Sequence, residues 1–234
     1  MVIKLYFADV GPLEDPDLFA ALYQAVSPSR REKVDRVRTV CGKLLSLGAG
    51  ALLEASLAEL GVTAPRLDLG ENGKPYLADS PGLFFNLSHS GTRVLCALSD
   101  GEIGCDVERV KAPRLKVARR CFHPLEVRAL DQCEDPAAQA ALFYKLWTLK
   151  ESFLKVTGLG FKLPLNAFSI EHEGEAITVN QSVDDRQYAF LAFSGDGYQY
   201  AVCGADRSLS GVALTERFFP ELIRILPGNC SAGS

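Results

Sequence analysis

The chain has 234 residues, 47% of them apolar and 23% charged, with a net charge of −4 at pH 7. That length suits one large domain or two small ones with ample core. The slight negative charge excludes a global attraction to nucleic acid or an anionic membrane, so an anionic ligand must meet a local basic cluster.

Val2–Ala8 reads as a strand, followed by a helical pattern around Asp17–Ala25. Ser27-Pro28-Ser29-Arg30 opens a long helix with a basic start (Arg30, Arg31, Lys33, Arg36, Arg38), expected to break near Gly42 or Gly48–Gly50, resume over Ala51–Leu60 and end at Gly61. Gly70–Pro75 is a turn-rich loop carrying Lys74. Leu83–Asn86 and Arg93–Leu98 read as strands flanking a Ser88-His89-Ser90-Gly91 turn, and Ser99–Glu102 as a hairpin turn into a strand at Ile103–Val107. Helical stretches over Arg114–Arg120 and Pro124–Asp131 precede a central helix capped by Asp135 and Pro136 and stopped by Gly158 and Gly160. The remainder is strand-rich, with Ser194–Gly197 joining the last two strands as a hairpin. No internal sequence repeat is evident. The order of elements predicts an α+β fold of two subdomains, residues 1–105 and 106–226, with a loose tail at 227–234.

The seven cysteines are odd in number and scattered, with no CxxC pair and only three histidines, which argues against zinc. Apolar surroundings such as Val94-Leu95-Cys96-Ala97 suit free thiols in a reducing cytosol. No signal-length apolar stretch opens the chain, and no segment is expected to approach the ~20 apolar residues of a membrane span. The expectation is a soluble, cytoplasmic protein.

The central helix has two faces. Leu142, Leu146, Leu149, Phe153 and Val156 form an apolar stripe, while Trp147, Glu151 and Lys155 step by four on roughly the opposite side. Taken alone, that second face fits an ordinary ion pair in water. Asp106 and Glu108 are two apart in a strand, so their side chains leave one face. With Glu151 they offer three hard oxygen ligands, a set that favours Mg²⁺ or Mn²⁺ and phosphate oxygens over zinc. Lys150, Lys155, Lys74, Arg30, Lys33 and the Ser88–Ser90 turn supply phosphate partners, and with the carboxylate set they suggest a polyphosphate or pyrophosphate ligand. Lys111–Leu125 holds five basic residues and no acid before Phe122, an exposed basic and apolar segment that suits an acidic protein partner. An aromatic stacking array for DNA or RNA is lacking.

Ile103-Gly104-Cys105-Asp106-Val107-Glu108 and Trp147-Thr148-Leu149-Lys150-Glu151-Ser152-Phe153-Leu154-Lys155 resemble the two signatures of 4′-phosphopantetheinyl transferases of the surfactin-synthetase-activator type, (I/V)-G-(I/V)-D-x-E and (W/F)-x-x-K-E-(S/A)-x-x-K. Ser27-Pro28, Gly73-Lys74-Pro75 and Phe85-Asn86-Leu87-Ser88-His89-Ser90 match upstream family elements, so the likeness runs from about residue 1 to 205. Cys105 departs from the family's usual aliphatic residue, with only a packing consequence expected.

The resemblance implies a monomeric enzyme with two similar α+β subdomains related by a pseudo-two-fold axis. Coenzyme A would bind between them and Mg²⁺ would sit on its pyrophosphate. A serine of an acyl, peptidyl or aryl carrier protein would attack the β-phosphorus, releasing 3′,5′-ADP. Asp106, Glu108 and Glu151 would hold the metal; Lys150 and Lys155 would meet the pyrophosphate; Lys74, Ser88 and His89 would contact phosphates, His89 at the 3′-phosphate with Arg30 and Lys33. Trp147 would fix the helix, and Lys111–Leu125 would dock the carrier. Either Glu151 or a metal-bound water beside it serves as base. A magnesium-dependent phosphodiesterase or pyrophosphatase and a catalytically idle binder of coenzyme A or carrier stand as rivals.

Overall fold

The computed structural model describes residues 3–173, 176–226 and 228, so the expected tail lies outside the described residues except for Gly228. In chain order the elements are β1 (Ile3–Asp9), α1 (Pro16–Ala25), α2 (Pro28–Asp35), α3 (Val40–Ala58), β2 (Leu67–Leu69), β3 (Pro75–Leu77), β4 (Phe84–Ser90) and β5 (Arg93–Ser99). They continue as β6 (Ile103–Arg109), α4 (Leu115–Cys121), α5 (Pro124–Asp131), α6 (Pro136–Thr157), β7 (Ser169–Glu173), β8 (Ala176–Asn180), β9 (Tyr188–Gly195), β10 (Tyr198–Ala205), β11 (Leu214–Glu216) and α7 (Phe219–Ile225). Two units emerge, one drawn from Met1–Gly70, Pro75–Asp100 and Val212–Ser234, the other from Glu71–Lys74 and Gly101–Gly211.

The first unit is a sheet ordered β11-β1-β5-β4 with α3 packed against it. β11 joins parallel to β1, pairing Leu5 with Leu214 and Phe7 with Glu216, which brings the segment after residue 211 into this unit. The boundary expected at residues 105 and 106 instead falls at Asp100–Gly101, ahead of β6. Ser99–Glu102 is accordingly a crossover: β5 pairs with β1 and β4, while β6 pairs with β10. Ser88 and His89 lie inside β4, paired with Leu95 and Val94.

The long second helix breaks at Arg36–Thr39, where Thr39 caps α3 by accepting from Gly42 N. Gly48 and Gly50 stay helical and open space: a Cβ on Gly48 would press on Val10 and Phe219, one on Gly50 on Arg30. At 19 residues, with Lys43 and Glu54 its only charges, α3 is long and apolar enough to cross a membrane, contrary to the sequence expectation. In this fold 72% of its most apolar window is buried. Leu47, Leu52 and Leu57 join Leu13, Leu22 and Leu98 in the core.

The second unit has a β6-β10-β9 sheet, a β7–β8 ribbon and the 22-residue α6. The caps of α6 follow from sequence: Asp135 accepts from Ala138 N, Pro136 opens the helix, and Gly158 closes it at φ 69°. Phe143, Leu146, Leu149, Phe153 and Val156 are buried against Phe168, Phe190, Ala201 and Cys203. Thr148, Lys150 and Ser152 are fully buried as well, so α6 is enclosed over far more than one stripe.

What lets α6 sit on the sheet is a lane of small residues. Gly104 of β6 pairs with Cys203, and Asp106 with Ala201. A Cβ on Gly104 would overlap Ser152 O and Val156 N, backbone atoms of α6 that cannot swing aside. Gly104→Ala should therefore cost about 1–3 kcal/mol by overpacking and lower the urea midpoint. Gly195→Ala, where an added Cβ meets nothing within 4 Å, should stay within about 0.5 kcal/mol. Equal midpoints for the two variants would show that the helix has room to spare at Gly104.

Candidate functional site

Strand alternation puts Asp106 and Glu108 on the face of β6 that Gly104 opens to α6. Lys155 comes down from the helix onto that strand. Its Nζ donates to Asp106 Oδ1 at 2.7 Å and to Cys105 O at 2.9 Å. Burial alone would lower the proton affinity of Lys155, but Asp106, and with it Cys105 and Glu151, outweighs burial and holds the pKa above the ordinary lysine value. Lys155 is a fixed cation here.

Glu151 stands one helical turn before Lys155 and is half-buried. Its pKa is raised, first by burial, then by Asp106 and more weakly by Glu108, with Lys155 opposing. Asp106, Glu108, Glu151 and Lys155 are thus brought together. All the donors are carboxylate oxygens, the chemistry a hard dication takes, and the crowding that raises Glu151 is what such an ion would relieve. Lys155 already balances Asp106, and among the described residues no group of three or more His, Cys, Asp or Glu is gathered closely enough to hold a metal ion.

Lys74 joins this unit at the C-terminal end of α6. Its Nζ donates to Val156 O at 3.1 Å, one of the carbonyls the helix end leaves over. Burial lowers its pKa, Glu102 resists, and Arg186 adds to the lowering. A desolvated ammonium with this balance favours an added anion.

Lys150 departs from expectation. It is fully buried on the far side of the helix. Nζ donates to Leu165 O at 2.8 Å and Phe168 O at 2.7 Å and pairs with Glu126 Oε1 at 2.9 Å. An ammonium has three hydrogens, and these partners use them all, so none remains for pyrophosphate.

In the first unit Arg30 is buried, its guanidinium lying across Gly50 and 3.9 Å from Glu54 Oε1. Glu54 also accepts from Ser27 N at 2.8 Å and Ser27 Oγ at 2.7 Å, which ties the start of α2 to α3. Burial lowers the pKa of Arg30, with Glu54 resisting. Partial burial and then Arg30 lower that of the exposed Lys33, so Arg30 is the cation held short of water. Ser88 is buried and His89 exposed on β4.

Trp147 stacks on Phe143 with centroids 5.9 Å apart, and the Arg114 guanidinium lies 4.9 Å from its ring centre. Lys111, Arg114, Lys116, Arg119, Arg120 and Leu125 are exposed, but Phe122 is not; it is buried 5.5 Å from Phe143. Asp131 of α5 also brings an acid into this segment, 2.8 Å from Arg119.

The residue sequence reasoning missed is Glu126. It is buried, Oε1 accepts from Ile170 N at 2.8 Å, and Oε2 accepts from His123 N at 3.0 Å. The signal was present as a helix start, His123-Pro124-Leu125-Glu126, with glutamate at the position that reaches back to its cap.

A sequence model of the 4′-phosphopantetheinyl transferase superfamily matches residues 102–203, which contain Asp106, Glu108, Glu126, Glu151 and Lys155. Among solved structures, a holo-(acyl-carrier-protein) synthase from Bacillus anthracis str. Ames in complex with CoA (3′,5′-ADP) matches at 11% identity and a TM-score of 0.40, covering 46% of this chain and 96% of that one. A 4′-phosphopantetheinyl transferase (gsp) of Aneurinibacillus migulanus is 27% identical over 229 residues, 96% of this chain and 95% of that one. The 4′-phosphopantetheinyl transferase Sfp of Bacillus subtilis (strain 168) is 34% identical over 189 residues, 77% of this chain and 82% of that one. With the strand and helix motifs seated against each other around Asp106 and Lys155, the chain belongs to the 4′-phosphopantetheinyl transferase superfamily.

Proposed function

We propose that this enzyme transfers the 4′-phosphopantetheine group of coenzyme A to a serine of an apo acyl, peptidyl or aryl carrier protein, releasing 3′,5′-ADP in a magnesium-dependent reaction. The observation that carries this reading is the Asp106–Lys155 pair with Glu151 and Glu108 pressed beside it. Asp106, Glu108 and Glu151 would draw closer to hold the ion, which supplies a hard positive charge for the pyrophosphate. The serine oxygen forms a bond to the β-phosphorus as the bond to the departing 3′,5′-ADP breaks. Glu151, or a water held beside it, takes the serine proton. Lys155, fixed by Asp106 and Cys105 O, neutralises charge gathering on the leaving group.

The desolvated cations Lys74 and Arg30 and the exposed Lys33, with Ser88 and His89, would meet phosphates of coenzyme A. The exposed basic face of α4, beside Leu125 and an open groove of about 450 Å³ between α4 and α5, suits an acidic helical carrier. The six described cysteines are free, which supports a cytoplasmic setting; the enzyme is taken to act as a monomer.

Intact-mass spectrometry of a panel of apo carriers, incubated with the protein, coenzyme A and Mg²⁺, tests the reaction. One phosphopantetheine mass should be gained on at least one carrier, and EDTA should abolish the gain. Release of free 4′-phosphopantetheine without any carrier gain would instead show hydrolysis and overturn the reading.

Glu151→Gln should leave coenzyme A binding measurable while transfer falls about 10²–10⁴-fold, the usual worth of a general base. Unchanged turnover would remove Glu151 from the mechanism.

Gly50→Ala tests Arg30 without touching it. The new methyl would overlap the Arg30 Nε and Cδ atoms and push the flexible guanidinium from its seat. Alanine is the better helix former by about 1 kcal/mol, so the fold should hold. The KM for coenzyme A should rise about 10-fold or more, the scale of one charge-assisted hydrogen bond, with kcat within a few-fold. An unchanged KM would mean that Arg30 does not meet the substrate.

A further inference from the structure

The Glu126–Lys150 pair takes no part in the chemistry above, yet it is the most completely enclosed pair of opposite charges among the described residues: their side chains are 2% and 0% exposed. Its hydrogen bonds reach α5 through His123 N, β7 through Ile170 N, and the segment before β7 through Leu165 O and Phe168 O. Two of them, with Glu126 itself, end on the Lys150 ammonium of α6, and the other two hold Glu126 in place. Lys150 Nζ also lies 4.0 Å from the centre of the Phe168 ring, so the pocket closes over it.

Lys150 precedes Glu151 in the helix, and neighbouring residues point about 100° apart. Whatever fixes the direction of Lys150 therefore fixes the direction of Glu151 and, one turn on, of Lys155. The contact at Gly104 limits how close α6 comes to β6, but a backbone contact of that kind does not by itself set rotation about the helix axis. Directional hydrogen bonds to a single ammonium do. An apolar side chain in the same pocket would give equal or better stability, but it would tolerate a small roll of the helix.

Resting on the transfer reaction proposed above, we infer that Glu126 is a positioning residue: through Lys150 it locks the rotation of α6 and so sets Glu151 and Lys155 against Asp106. It touches neither substrate nor the reacting atoms. Glu126 holds three donors at once, Lys150 Nζ, Ile170 N and His123 N, and no shorter or neutral side chain there satisfies all three in the same geometry.

The test compares Glu126→Gln, Lys150→Met, the double variant and Glu126→Asp with the parent protein. Thermal unfolding, kcat and KM for coenzyme A, and tryptophan emission are read for each. Trp147 is the chain's single tryptophan and sits on α6, so its emission reports the seat of the helix independently of activity. Each single variant removes one partner from a buried pair and should lose stability. The double variant should recover Tm towards the parent, yet keep a shifted Trp147 emission and a kcat lowered about 10²-fold, as expected for a small misplacement of catalytic groups. Its KM for coenzyme A should stay within a few-fold.

Glu126→Asp, which keeps the charge but shortens the arm, should fold and show the same split between kcat and KM. A double variant, or a folded Glu126→Asp, with parental kcat and parental Trp147 emission would overturn the inference and leave the pair a stability feature only. If the parent itself transfers nothing, the proposed reaction fails, while the Trp147 emission still decides whether Glu126 sets the helix.

Discussion

The second unit depends on the absence of one atom. Because Gly104 has no Cβ, the backbone of α6 at Ser152 and Val156 rests directly on β6. That approach lets a lysine side chain span from helix to strand and end 2.7 Å from a carboxylate on the same strand. With a larger residue the helix would ride higher, and Lys155 could not reach both Asp106 and Cys105 O. The small residues opposite, Ala201 and Cys203, continue the same lane across β10. Close packing here serves as the ruler for the charged groups.

Two adjacent residues of α6 then meet opposite fates. Lys150 enters a closed pocket in which every hydrogen of its ammonium has a partner, a fully satisfied network of the kind that rigidifies its surroundings. Glu151 faces a half-buried patch where two further carboxylates raise its proton affinity and one ammonium lowers it. The first arrangement is closed; the second carries an imbalance that an incoming cation or proton would settle. Burial enters both, and what separates a structural charge from a chemically useful one is whether its partners are complete.

Much of this was legible because it is written locally. Asp135-Pro136 and Gly158 cap α6 by their own side-chain and backbone preferences, and Asp196-Gly197, both at positive φ, turn β9 into β10. The alternation Gly104, Asp106, Glu108 needs only a strand to place three residues on one face. What the sequence did not disclose depends on distant partners. Gly48 and Gly50 look like helix breakers, but their use is to clear space for Phe219 and Arg30. Ser99–Glu102 has the composition of a hairpin turn, and only the pairing of β5 with β1 and of β6 with β10 shows that it crosses between sheets. β11 is three residues long and acquires meaning from β1, more than 200 positions earlier. Lys150 sits in a motif rich in functional groups, and no local pattern tells an outward lysine from one that turns towards Glu126.

The same distinction bears on how a chain of net charge −4 handles a polyanion under the proposed function. A diffuse basic surface would be screened over about 8–10 Å at physiological ionic strength. This chain instead withholds water from a few cations. Burial lowers the proton affinity of Arg30 in one unit, against Glu54, and of Lys74 in the other, against Glu102. A cation already stripped of part of its hydration loses less when it meets a phosphate. A nearby carboxylate helps to keep it charged until then. Under that function, affinity for phosphate groups would rest on individual seats, Gly50 beneath Arg30 and the end of α6 beneath Lys74, more than on the overall charge.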